Sequence, residues 1–127
     1  MCVFCEALKD QRRIIAENER AFAIYDRYPV QEGHALIMPK RHVESFFDLE
    51  QEEVNDLFAL AKKVRTSIDR KHHPDGYNLG INDGVHSGQT VMHVHLHLIP
   101  RYRGDVPDPT GGVRGVIPAK RTYGDRK

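Results

Sequence analysis

The segment His93-Val94-His95-Leu96-His97-Leu98-Ile99-Pro100-Arg101 carries an imidazole at every second position of its first half. On a β-strand this alternation puts His93, His95 and His97 on one face, with Val94, Leu96 and Leu98 turned toward a core. Neighbouring imidazoles then stand roughly 6–7 Å apart, close enough to surround one small group such as a phosphate or a metal ion. Three readings compete. One is an ordinary amphipathic strand, although histidine is an uncommon choice for every polar position of one. Another is a three-histidine metal centre of the zinc-hydrolase kind. The third is metal-independent: an imidazole is largely neutral at pH 7, so it can attack phosphorus and later leave. Just upstream, Gly88-Gln89-Thr90 offers backbone N–H groups, an amide and a hydroxyl to a phosphate, which a metal site alone would not need. Gly33-His34 supplies a fourth imidazole.

Cys2-Val3-Phe4-Cys5 has the spacing of half a zinc site. A redox pair or an incidental one are the alternatives, and the absence of a βαβ pattern around it counts against a thioredoxin-like motif. Two cysteines this close cannot staple a fold, which implies a reducing compartment. The 127 residues suit a single domain spanning 1–127, with 39% hydrophobic and 29% charged residues. A formal net charge of +1 points to neither nucleic acid nor an anionic membrane. Arg101, Arg103, Arg114, Lys120, Arg121, Arg126 and Lys127 make the tail mildly basic. No aromatics are interleaved there for base stacking, so we read it as a solvated segment. No apolar run approaches the ~20 residues that span a bilayer. Lys9, Asp10, Arg12 and Arg13 follow the first eight residues at once, so no secretory core is expected and the cytoplasm is the expected location.

Around these groups the sequence predicts a short helix over 1–9 with Val3, Phe4 and Leu8 on one side, then strands over 13–17, 21–25 and 35–38. A long helix is predicted over 51–71, its apolar face formed by Val54, Leu57, Phe58, Ala61, Val64 and Ile68. Glu50, Glu52 and Glu53 near its start, and Arg70, Lys71, His72 and His73 near its end, complement the helix dipole. Pro74 and Gly76 then break the chain, and two strands follow over 76–82 and 91–100. Residues 101–127 are rich in Gly and Pro and read as an irregular segment laid over the domain. This order argues for an α+β fold with a mainly antiparallel sheet.

The alternating histidines resemble the signature of the histidine triad (HIT) family, and the likeness extends well beyond them. It takes in the Cys2–Cys5 opening, Ala23-Ile24-Tyr25-Asp26, Pro29-Val30-Gln31-Glu32-Gly33-His34-Ala35-Leu36-Ile37-Met38-Pro39-Lys40, Asn82 and the block from Gly88 to Arg101. Gly88-Gln89-Thr90-Val91 before the triad, and Ile99-Pro100-Arg101 with Gly104-Asp105 after it, are similar to the fragile histidine triad branch, which cleaves dinucleoside polyphosphates. The Cys-x-x-Cys opening, the loop 83–87 and the tail beyond Asp105 depart from that branch.

The resemblance implies a five-stranded antiparallel sheet with one long and one short helix, in a homodimer. It implies His95 as nucleophile on a nucleotide α-phosphate, forming a nucleotidyl-histidine intermediate that water hydrolyses to AMP. His97, His34, Gln89 and Thr90 would contact phosphate oxygens or the leaving group. Asp26 would bind ribose hydroxyls, with Gly88 and Asn82 lining the site. Phe4, Leu8, Phe22 and Ile24 are candidates for the base pocket. In relatives with this opening, Cys2, Cys5, His42 and His93 would hold a structural Zn²⁺, and Mg²⁺ or Mn²⁺ would accompany a polyphosphate substrate. A nucleoside phosphoramidase and a non-catalytic nucleotide-binding protein remain the alternatives.

Overall fold

A computed structural model describes residues 2–123, so Met1, Arg126 and Lys127 of the readings above lie outside it. The chain runs α1 (Val3–Leu8), β1 (Ile14–Glu17), β2 (Ala21–Tyr25), β3 (Ala35–Pro39), α2 (Gln51–His72), β4 (Gly76–Ile81) and β5 (Leu96–Arg101), with short 3-10 turns between and after them. The strands form one antiparallel sheet in the order β1-β2-β3-β5-β4. The predicted α+β class and element order are those observed.

The sheet has an apolar layer on each face because β2 and β3 are buried almost throughout. On one face Ala21, Ala23, Ala35, Ile37, Leu96 and Leu98 meet Leu57, Leu60, Ala61, Val64 and Ile68 of α2. Each large aliphatic side chain buried there contributes about 1.5–3 kcal/mol. Phe58 was expected in this stripe but is 39% exposed, and Leu60 takes the place instead. Residues turn about 100° each around a helix, and Phe58 lies roughly one such step off a stripe centred on Leu57 and Val64. The start of α2 is held by the Glu50 N–H, which donates to the Glu53 carboxylate at 2.9 Å, itself gripped by Arg41 at 2.7 and 3.0 Å. His73 ends the helix in the left-handed region at φ 52°, and His72 lies 3.6 Å from Glu32. Neither histidine joins the site described below.

On the other face Phe22, Ile24, Leu36 and Met38 pack against Phe4 and Ala7 of α1. Val3 was expected on this side but is 56% exposed, because the buried stripe runs through Phe4, Ala7 and Leu8. Cys2 caps the helix, its Sγ accepting from the Cys5 N–H at 3.4 Å.

The triad strand is shorter than predicted. Regular pairing begins at Leu96, and residues 91–95 are an irregular lead-in that bends over 91–93. The β3–β5 register pairs Ile37 with Leu96 and Ala35 with Leu98, and continuing it sets Pro39 opposite Val94. Proline has no N–H to give, so the ladder stops there. Val94 donates instead to the Val43 carbonyl at 2.7 Å.

Gly33, at φ 89°, makes the turn that delivers His34 to the start of β3. A Cβ there would sit 3.0 Å from His72 and 3.2 Å from Ile68. Gly33→Ala is therefore expected to cost about 1–3 kcal/mol of stability, read as a lower denaturant midpoint. Among the described residues no helix is long and apolar enough to cross a membrane.

Candidate functional site

The face that carries α1 also holds a cavity of about 730 Å³, whose lining includes His95, His97, Asp26, Asn82, Gly88 and Thr90 together with the apolar Phe4, Ile24, Leu36 and Val91. Of the residues expected around a base, Phe4 and Ile24 line this cavity. Phe22 and Leu8 do not: both sit in the packing between α1 and the sheet, where Phe22 is fully buried. Leu36 and Val91 were missed, although Leu36 shares the face of Ile24 through direct pairing of β2 with β3.

His95 is buried, with the edge of Phe4 against it at 4.9 Å between ring centres. Its Nδ1 lies 2.9 Å from the backbone carbonyl of His93. A carbonyl can only accept, so Nδ1 carries the proton and Nε2 keeps a free lone pair. Burial pushes the pKa of His95 below the ordinary histidine value, against the opposing pull of that carbonyl and of Asp26. The imidazole is thus neutral at pH 7, with Nε2 as its basic and nucleophilic atom.

His97 is held in the opposite tautomer. The Val30 N–H donates to Nδ1 of His34 at 3.2 Å, so the proton of neutral His34 is on Nε2. That Nε2 is 3.0 Å from Nδ1 of His97 and 3.4 Å from the Asp26 carboxylate. Nδ1 of His97 therefore accepts, and its own proton sits on Nε2. The rings of His95 and His97 are 5.0 Å apart between centres, one with a lone pair on Nε2 and the other with its proton there. His34 lies behind His97 and does not line the larger cavity.

Burial, with His95 and His34 adding to it, lowers the pKa of His97 to about 4. Burial also lowers that of His34, against the pull of Asp26. An unfolded chain, with imidazoles near 6.5, binds more protons than the folded one between those values. The stability these histidines contribute is complete above about pH 6.5 and is lost as pH falls toward 4. The denaturant midpoint is expected to drop between pH 7 and pH 5, and to drop less in a His97→Gln variant.

Gln89 is corrected. Its Oε1 accepts from the Gly84 N–H at 2.8 Å, and its Nε2 donates to the carbonyls of Glu44 at 2.9 Å and Val91 at 3.1 Å. The amide braces the loop that presents Gly88 and Thr90, and does not face the cavity as expected. Asp83 braces the other end of this loop, accepting from the Ser45 hydroxyl and the Phe46 N–H. Sequence reading gave Asp83 no role.

His93 does not share a site with His95 and His97. It lies in the lead-in, fully buried, and faces Cys2, Cys5 and His42. Its Nε2 donates to the Pro39 carbonyl at 2.8 Å, which leaves Nδ1 unprotonated, 3.3 Å from the Cys2 sulfur and 3.6 Å from that of Cys5. Nδ1 of His42 is 3.4 Å from Cys5. All four donor atoms lie within 4.8 Å of one another. Two thiols and two imidazoles suit tetrahedral Zn²⁺, and a second hydrogen bond that fixes the ligating nitrogen is the usual companion of a histidine ligand. The residues therefore fit the metal that the sequence pattern suggests. Burial and the neighbouring Cys2 raise the pKa of Cys5, which a bound divalent cation would reverse.

A model of the HIT domain matches residues 8–104. An uncharacterized HIT-like protein of Methanocaldococcus jannaschii is 37% identical over 107 residues, which are 83% of this chain and 82% of that protein. A protein of Schizosaccharomyces pombe named bis(5'-nucleosyl)-tetraphosphatase (asymmetrical) is 44% identical over 93 residues, 73% of this chain and 51% of that one. The crystal structure of a zinc-bound histidine triad family protein from Mycobacterium smegmatis matches with a TM-score of 0.74 at 34% identity, covering 93% of this chain and 91% of that one. With the family model spanning most of its length and these relatives aligned along it, this chain belongs to the HIT domain family.

Proposed function

We propose that this protein is a nucleotide hydrolase that cleaves at the α-phosphate of dinucleoside polyphosphates through a nucleotidyl-histidine intermediate. The observation that carries this reading is the pair of opposed tautomers at His95 and His97. Nε2 of His95 attacks phosphorus in line, and its lone pair forms the P–N bond as the bond to the bridging oxygen breaks. The leaving polyphosphate takes that bond's electrons, and the Nε2–H of His97 is the donor placed to meet the charge developing there. A water then attacks phosphorus, its oxygen forming the new P–O bond as the P–N bond breaks. The electrons of that bond return to Nε2 as its lone pair, and the proton the water loses goes to solvent. AMP departs and His95 is restored. His93 takes no part in this chemistry; its carbonyl holds the tautomer of His95.

Asp26 lies beside the apolar walls and accepts ribose hydroxyls, while Thr90 and the backbone of Gly88 receive phosphate oxygens. Phe4, Ile24, Leu36 and Val91 enclose the base. The S. pombe relative, by its name, acts on a substrate of this class. Cys2, Cys5, His42 and His93 hold zinc in a structural role, tying α1 to the lead-in of β5 beside His95. Incubation with diadenosine tetraphosphate and Mg²⁺, followed by chromatography of the products, tests the reading. AMP and ATP in equal amounts are expected. Two molecules of ADP, or no product, would refute it.

A further inference from the structure

A second groove, of about 430 Å³, opens on the other side of His97. Its floor is Asn78, Gly80 and Ile99 on β4 and β5, and its outer wall is Val113 and Val116. His97 and Asn82 line both this groove and the larger cavity, so the two meet where the leaving group must emerge. Their chemistry differs. The larger cavity has Asp26 and several charged residues along its margin, whereas the groove's lining contains no Lys, Arg, Asp or Glu. Such a surface cannot neutralise phosphate, but it suits an uncharged, largely apolar body.

The outer wall is built before any ligand arrives. Residues 112–116 form a 3-10 turn, and Arg121 donates to the carbonyls of Asp108 and Thr110 at 2.9 and 2.8 Å. Arg114 in turn donates to the Lys120 carbonyl at 2.8 Å and the Arg121 carbonyl at 3.3 Å. Gly111, at φ 95°, lies so close to the Arg121 carbonyl that a Cβ has no room. Val113 and Val116 nevertheless remain 59% and 79% exposed beside the groove. A braced turn that holds two valines in water at the edge of a site is spending stability on something other than the core. Across the groove Gly80 pairs with His97, and nothing lies within 4 Å of where its Cβ would be, so the floor is open. The wall also lies outside residues 8–104, the part of the chain that the family model matches.

We propose that this groove is the leaving-group subsite, and that it takes the second nucleoside of the substrate, with Val113 and Val116 setting the preference for a dinucleoside polyphosphate over a mononucleotide. This rests on the reading under Proposed function. The test compares kcat/KM for diadenosine tetraphosphate and for ATP, which share the AMP half and differ in whether a nucleoside ends the leaving group. Wild type is expected to favour the dinucleotide. In Val113→Asp and Val116→Asp, both exposed enough to fold, the ratio of the two kcat/KM values is expected to fall roughly tenfold or more. A ratio unchanged in both variants overturns the subsite while AMP release still supports the parent reading. A wild type that cleaves neither compound overturns both. If the variants instead change the sedimentation coefficient with the ratio intact, the wall is a contact between copies of the chain and the subsite is wrong.

Discussion

A His95→Asn variant is expected to lose turnover by a factor of roughly 10⁴ or more while still binding nucleotide, since removing a nucleophile abolishes the covalent route and leaves the binding contacts standing. Asparagine is the informative replacement. Its amide N–H can still meet the His93 carbonyl, which accepts from His95 in the native protein, so no buried acceptor is orphaned. Asp26, Asn82 and the apolar walls are untouched, and nucleotide affinity measured by calorimetry should change by less than about threefold, under 1 kcal/mol. A His97→Ala variant is expected to lose less, roughly 10²–10³-fold, as befits a neutral hydrogen-bond donor that stabilises charge on the leaving group rather than the attacking atom. If His95→Asn retained near-native turnover, the nucleophile would have to be sought elsewhere.

The second large effect concerns the four-ligand cluster. Stripping zinc with a chelator is expected to lower the unfolding midpoint sharply, because a metal that binds only the folded chain stabilises it by RT ln(1 + [L]/Kd), about 4 kcal/mol at a thousandfold excess over Kd. Cys5→Ser should reproduce that loss. Adding His42→Ala to it should cost little more, since the site is already broken and the two changes act as one unit. The cluster joins α1 to the residues immediately before His95, so its loss should also release Phe4 from the His95 ring. Turnover should fall with stability, and metal analysis of the purified protein should return one zinc per chain. Protein free of zinc with an unchanged midpoint would show that the four residues do not form a metal site.

How much of this was legible in the sequence depended on what each inference required. Apolar periodicity was enough for α2 and for β2 and β3, because those elements are set by burial. It placed Phe58 wrongly, since a pattern of apolar residues does not say where the centre of the stripe lies, and Leu60 decided that through packing on the sheet. Period-two alternation brought out the histidines, yet it put His93 on the face of His95 and His97. Pro39 cannot extend the ladder, so the chain leaves strand geometry there, and His93 turns to the cysteines. Gln89 looked like a phosphate contact from its residue type, but three backbone partners claim its amide. Least legible were the tautomers. They depend on backbone groups of Val30 and His93, which no side-chain pattern reports.

The central claim is that Nε2 of His95 becomes covalently bound to the nucleotide. Mixing enzyme in excess with diadenosine tetraphosphate, quenching in denaturant at alkaline pH within the first turnover, and mapping the peptides by mass spectrometry tests it most directly. A peptide containing His95 that carries one added adenylyl group, and that is absent from the His95→Asn variant, is the result this account predicts. AMP formed at full rate with no adenylyl group on any peptide would contradict it, and would point to direct attack by water.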